Sequence, residues 1–128
     1  MNLLLDTCTF LWIVRNRPEL SETAKTLFQD ENNRVFLSVV SVWEITVKNG
    51  LGRLPLADPP TIYIPRERER HNITSLELAE QDVLELEHLP PIHQDPFDRM
   101  LICQARTRSL VLLTPDQAIR AYPVASVW

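Results

Sequence analysis

The sequence predicts an α/β fold with a central, mainly parallel sheet. Two observations predict it. Short, wholly apolar runs (Leu3-Leu4-Leu5, Val35-Phe36-Leu37 and Leu110 to Leu113) have the length and composition of strands buried on both faces. Between them lie longer segments whose apolar residues recur at helical spacing, and that alternation is the pattern of parallel sheets covered by helices. A third observation bears on function: an acid stands at or soon after the end of several of these runs. In open α/β sheets, ligands bind outside the carboxyl ends of the strands.

The elements follow in order. Leu3 to Leu5 is a strand ended by Asp6, and Asp6-Thr7 caps a helix over Cys8 to Val14 that carries Phe10, Leu11, Trp12 and Ile13. Asn16-Arg17-Pro18 breaks it. Ser21 opens a second helix with Ala24, Leu27 and Phe28 on one face, and Asn32-Asn33 turns the chain into a strand over Arg34 to Ser38. Ser41-Val42-Trp43-Glu44 has the spacing of a capping box, a Ser followed three residues later by a Glu. Its helix carries an apolar stripe of Val40, Trp43, Val47 and Leu51 and ends at Asn49-Gly50 and Gly52. Leu54 to Pro60 is a proline-rich connection. Thr61 to Glu69 reads as a helix whose alternating Arg66, Glu67, Arg68, Glu69 and Arg70 mark a solvated face. Asn72-Ile73-Thr74 is a short strand, Leu76 to Leu86 an acidic amphipathic helix, and His88 to His93 a loop.

The stretch from Asp95 to Arg108 is the strongest helix signal. Asp95 is an N-cap and Pro96 fits the first helical position. Phe97, Leu101, Ala105 and Arg108 recur at helical spacing, with Met100 and Gln104 beside them and Arg99 and Arg106 opposite. Asp98 lies on the flank of the apolar face, where a carboxylate needs a partner. The candidates are the helix N-terminal dipole, Arg99, His93 or a metal ion. After the Leu110 to Leu113 strand, Thr114-Pro115-Asp116 repeats the capping pattern before a short helix with Ile119 and Tyr122, and Val124 to Trp128 is a last edge strand.

Bulk properties narrow the function. A chain of 128 residues predicts one domain, spanning residues 1-128, with a core of ordinary size. The hydrophobic fraction is 45% and the net charge −4, which argues against a basic nucleic-acid-coating protein. No run is long enough to span a bilayer, and Asp6 interrupts the N-terminal apolar run too early for a signal peptide, so a cytoplasmic protein is expected. Cys8 and Cys103 make no metal-spacing motif and read as small buried hydrophobes.

Asp6, Glu44, Asp98 and Asp116 occupy comparable places, near one edge of the expected sheet. Each has a capping or pairing explanation of its own; for Glu44 these are Ser41 and Lys48. Together they would repel, and helix N-termini alone do not screen four carboxylates. Hard divalent cations such as Mg²⁺ or Mn²⁺ do. Such a centre polarises a phosphodiester and lowers the pKa of a bound water. No P-loop, dinucleotide-binding glycine pattern, zinc spacing or Ser-His-Asp arrangement competes with it.

The same residues carry a resemblance. Leu3-Leu4-Leu5-Asp6-Thr7 with Leu11-Trp12, Ser41-Val42-Trp43-Glu44-Ile45 with Lys48, Asp95 to Ile102 with Gln104-Ala105, and Leu113 to Asp116 followed by Tyr122-Pro123-Val124 and Trp128 resemble the PIN-domain ribonucleases, and more narrowly the VapC-type toxins of toxin–antitoxin pairs. The resemblance implies a three-layer α/β/α domain, a homodimer, Mg²⁺- or Mn²⁺-dependent cleavage of RNA, and a cognate antitoxin. It implies that Asp6, Glu44, Asp98 and Asp116 are the catalytic and metal-binding acids, with Asp95 and Thr114 as accessory groups. The family often has a His where this chain has Cys8, a poor Mg²⁺ ligand. The alternatives are a receiver-like phosphoacceptor signalling domain, a non-catalytic PIN-like binding domain and a DNA-directed nuclease. The first lacks its usual pair of adjacent acids and late Lys here.

Overall fold

The computed structural model describes all residues, Met1–Trp128. Five parallel strands form one sheet: β1 (Asn2–Leu5), β2 (Arg34–Ser38), β3 (Thr74–Leu76), β4 (Val111–Leu113) and β5 (Ser126–Val127), in the spatial order β3-β2-β1-β4-β5. Seven helices cover it: α1 (Thr7–Val14), α2 (Glu22–Gln29), α3 (Val39–Gly50), α4 (Pro60–Arg70), α5 (Glu80–Leu84), α6 (Pro96–Arg108) and α7 (Gln117–Arg120). A 3₁₀ turn over Glu85–His88 extends α5. None of the helices is long and apolar enough to cross a membrane.

Alternation along β1 divides the core into two layers. Leu3 and Leu5 pack with Phe10, Leu11, Ala24, Ile45 and Ile64, contributed by α1 to α4. Leu4 points the other way and packs with Leu101, Ile102, Cys103, Ala105 and Ile119 of α6 and α7. The result is the three-layer α/β/α arrangement expected. β1 is the central strand, hydrogen-bonded to β2 on one side and β4 on the other, and the chain order reverses between β1 and β4. A crevice at the carboxyl end of such a reversal is where open α/β sheets bind ligands.

Several local expectations are corrected. The N-cap of α3 is Ser38, whose Oγ accepts from Val40 N–H at 3.0 Å, so the helix starts earlier than the Ser41 box predicts. Ser41 lies inside the helix, its Oγ hydrogen-bonded to Thr7 Oγ1 at 3.0 Å. The buried face is Val40, Ser41, Glu44 and Ile45, the side on which Thr7 of α1 meets Ser41 and Glu44, and Trp43, Val47 and Leu51 are exposed. The strand expected at Asn72–Thr74 is shifted to Thr74–Leu76, and the long acidic helix expected from Leu76 shortens to α5 and its 3₁₀ turn. There Asp82 is fully buried: it accepts from Ala79 N–H, from Thr107 Oγ1 and from Arg108, whose Nη2 is 2.8 Å away, latching α5 to α6. The face of α4 is not wholly solvated either, because Glu67 is buried and gathers Arg66 and Arg70 at 3.3 Å each. Cys103 is buried as expected, but Cys8 is exposed.

The corrected face of α3 is testable by urea denaturation. Ile45→Ala, at a site with no exposure, is expected to cost about 3 kcal/mol. Leu51→Ala, where the side chain is 62% exposed, is expected to change stability by less than about 0.5 kcal/mol. The reverse order would return the Trp43-Val47-Leu51 stripe to the core.

Candidate active site

The site forms where the carboxyl ends of β1, β2 and β4 meet the amino end of α6. A cleft of about 400 Å³ there is lined by Asp6, Glu44, Asp95, Asp98 and Asp116, with Thr7, Cys8, Lys48 and Pro115 completing the wall. All four sequence-predicted acids, and the accessory Asp95, therefore reach one cavity. Five carboxylates face a single cationic side chain, Lys48.

Each acid is held by its place in the fold. Asp6 directly follows β1 and is 4% exposed; its Oδ1 caps α1 by accepting from Thr9 N–H at 2.7 Å, and its Oδ2 accepts from Thr114 Oγ1 at 2.5 Å. Thr114 ends β4 and also accepts from Asp116 N–H at 3.1 Å, so it ties two acids to each other. Asp116, rather than Thr114, is the N-cap of α7, accepting from Ala118 N–H at 2.8 Å. Asp95 is the N-cap of α6 as expected, accepting from Phe97 N–H and Asp98 N–H at 2.8 and 3.1 Å. That leaves Asp98, in the first turn, free to face the cleft.

Glu44 is 6% exposed. Its Oε1 accepts from Thr7 Oγ1 at 2.7 Å and its Oε2 is paired with Lys48. The Lys48 pairing expected from sequence is present, while the expected cap on Ser41 is replaced by this link to Thr7. Thr7 is the functional residue that sequence reasoning missed. Its hydroxyl gains a role only because β1 and β2 are neighbours, which no local motif reports.

The acids perturb one another. Burial, then the nearby Asp95 charge, pushes the Asp98 carboxyl from 3.8 up to about 6 against the lowering effect of its His93 hydrogen bond. Burial also raises Asp6, opposed by the hydrogen bonds from Thr114 and Thr9. Partial burial of the Cys8 sulfur, with Asp6 and other acids nearby, pushes that thiol up to about 11, which keeps it protonated and a poor nucleophile at neutral pH. Lys48 is raised by its hydrogen bond to Glu44 and stays charged.

The donor set fits a hard divalent cation. Carboxylate oxygens dominate it, and carboxyls raised by burial and mutual repulsion gain most from a positive ion between them. His93, Asp98 and Asp116 each bring one ligand atom within 4.8 Å of the others, a grouping compact enough to hold an ion. Asp6 and Glu44 line the same cleft outside that group.

Comparison with known proteins agrees with this geometry. Over a stretch of 46 residues the chain is 37% identical to Ribonuclease VapC16 of Mycobacterium tuberculosis; the stretch covers 36% of this chain and 33% of that protein, so the chain matches about a third of the relative's length. The fold is similar to that in a structure of VapBC2 from Rickettsia felis bound to a promoter DNA fragment, with a TM-score of 0.73 over 99% of this chain and 98% of that one at 12% identity. It is also similar to a DNA-bound VapBC structure from Salmonella typhimurium, with a TM-score of 0.70 over 99% and 97% at 18% identity. At those identities the likeness is one of fold. The PIN domain family profile matches residues 3–125, nearly the whole length, and the chain belongs to the PIN domain family.

Proposed function

We propose that this chain is a Mg²⁺- or Mn²⁺-dependent endoribonuclease, acting as a single domain and as the toxin of a toxin–antitoxin pair. The observation that carries the proposal is the convergence of Asp6, Glu44, Asp98 and Asp116 on one cleft beside the β1–β4 reversal. Family membership and the partial match to a ribonuclease support a nuclease. The family match removes the receiver-like alternative.

Asp6, Asp98 and Asp116 would hold the cation, with Glu44 ligating or orienting a water. Bound there, the cation lowers the pKa of a water and offsets negative charge at the scissile phosphate and the leaving oxygen. The protein's own groups do the rest. Thr114 and Thr9 fix both oxygens of Asp6, so its position costs no reorganisation when substrate arrives. Thr7 and Lys48 fix the two oxygens of Glu44 at the cleft wall, where it would orient a water.

RNA is the proposed substrate. Trp43, 56% exposed beside Glu44, packs edge-on against Phe97 beside Asp98, with centroids 4.8 Å apart at 77°. An indole more than half exposed offers a surface on which an unpaired base can stack. The likeness to VapBC structures supports an antitoxin partner; the homodimer is proposed on the family resemblance alone. An RNA substrate and such a partner would place the protein's work in the cytoplasm.

Cleavage of a mixed RNA pool tests the proposal. Wild type is expected to cut RNA with Mg²⁺ or Mn²⁺ and to stop in EDTA. Asp98→Asn and Asp116→Asn are expected to lose about two orders of magnitude or more, the scale of several kcal/mol of charge stabilisation. Metal-dependent cutting that survives both substitutions would remove these acids from the mechanism. DNA of the same sequence cut at an equal rate would remove the RNA assignment.

The titration of Asp98 supplies an independent test. A carboxyl raised in the folded state favours the protonated fold, so its contribution is full below about 3.8 and is lost as pH rises through about 6. Metal-free wild type is therefore expected to lose melting temperature relative to Asp98→Asn between pH 4 and about 6.5. Added Mn²⁺ is expected to raise the wild-type melting temperature more at pH 7.5 than at pH 5, because the cation takes the place of the proton. A pH-independent difference between the two proteins would contradict the assignment.

A further inference from the structure

We infer that His93 is a direct nitrogen ligand of the bound cation, completing a His93–Asp98–Asp116 face that favours Mn²⁺ over Mg²⁺. The inference rests on the cation-dependent reading above and goes beyond its all-carboxylate ligand set.

Three observations carry it. First, the compact ligand group is His93, Asp98 and Asp116, not the four acids, with the three donor atoms within 4.8 Å of one another; Asp98 and Asp116 line the cleft and His93 joins them through Asp98. His93 Nε2 lies 2.9 Å from Asp98 Oδ2. Neighbouring ligands on an octahedral ion with bonds of about 2.1 Å stand about 3.0 Å apart. The spacing now bridged by a proton therefore also suits a shared cation.

Second, the backbone that carries the ring is pinned. Tyr122, itself buried, accepts from His93 N–H at 2.7 Å through its Oη. Arg99 Nη1 donates to that same Oη at 3.2 Å, to His93 O at 3.4 Å and to Pro90 O at 3.2 Å. A loop ending in a solvated histidine has no need of this clamp, whereas a ligand held ready does.

Third, Glu44 has both oxygens engaged, by Thr7 and by Lys48. A cation seated between Asp98 and Asp116 gains a ready third donor from His93 without breaking the Lys48 pair. Imidazole nitrogen is a better donor to first-row transition ions than to Mg²⁺, so its presence shifts selectivity toward Mn²⁺.

The experiment is pulsed electron paramagnetic resonance on the full chain loaded with Mn²⁺, beside calorimetric titration with Mn²⁺ and Mg²⁺. Wild type is expected to show nitrogen hyperfine modulation on the Mn²⁺ signal, and His93→Gln to lose it while melting normally. The variant is expected to lose at least about tenfold in Mn²⁺ affinity, the lower end of what losing even an outer-shell partner costs, with a smaller change for Mg²⁺. Bound Mn²⁺ without nitrogen modulation in wild type overturns the ligand assignment and leaves His93 as a hydrogen-bond partner of Asp98. Modulation unchanged in His93→Gln overturns it as well. A wild type that binds no Mn²⁺ overturns the cation reading itself, and the ligand with it.

Discussion

The structure turns on one electrostatic constraint: a carboxylate, Asp6, sits almost wholly buried at the carboxyl end of the central strand. A lone charge there would be expensive, and burial does raise its pKa. The cost is met by groups the fold places within reach. Thr9 N–H comes from the first turn of α1, and the Thr114 hydroxyl comes from the end of β4, 108 residues away in sequence. The Asp6–Thr114 bond therefore depends on β1 and β4 being neighbours in register, with Leu5 opposite Leu113. Acid and sheet hold each other in place.

The same economy recurs around the cleft. Asp6, Asp95 and Asp116 are helix N-caps, and Ser38, the cap of α3, also donates to Gln104 of α6 at 2.5 Å. Gln104 in turn donates to Glu77 O at 3.1 Å, so the helix that presents Asp98 is tied to the strand ends on the far side of the sheet. Helix N-termini carry partial positive charge, and three of them ringed around the cleft offset part of the repulsion among its acids. They do not remove it: burial is the main cause that raises Asp98 to about 6, and the charges of Asp95, Glu44 and Asp116 still add to it.

What was legible in the sequence follows from the range of each interaction. The apolar strands, the Asp95-Pro96 start of α6 and the acids at strand ends depend on neighbours a few residues away, and all were expected. The start of α3 was misplaced because Ser38 and Ser41 are both competent caps by local rules. Ser38 prevails because β2 ends there and Gln104 reaches its hydroxyl, a contact across 66 residues. Cys8 reads as an inside residue because its neighbours are apolar, yet the first turn of α1 faces the cleft, and Cys8 lines it beside Thr7. Thr7 and the closeness of His93 to Asp116 were invisible for the same reason: both depend on how separate strand ends are brought together.

An acidic cleft in a protein of net charge −4 sets a further condition on any phosphate-bearing partner. Five carboxylates and one lysine repel a polyanion at close range, and Lys48 is already committed to Glu44. Approach of RNA therefore requires that the cleft be neutralised first, so cation binding and substrate binding are thermodynamically linked under the proposed function. The exposed Trp43 would then have a physical purpose. Stacking on Trp43 would not depend on the charge of the cleft, so a base could be held while the phosphate waits on the cation. A site built this way would take its attraction for the backbone from the ion, which is how a domain of net charge −4 can act on nucleic acid.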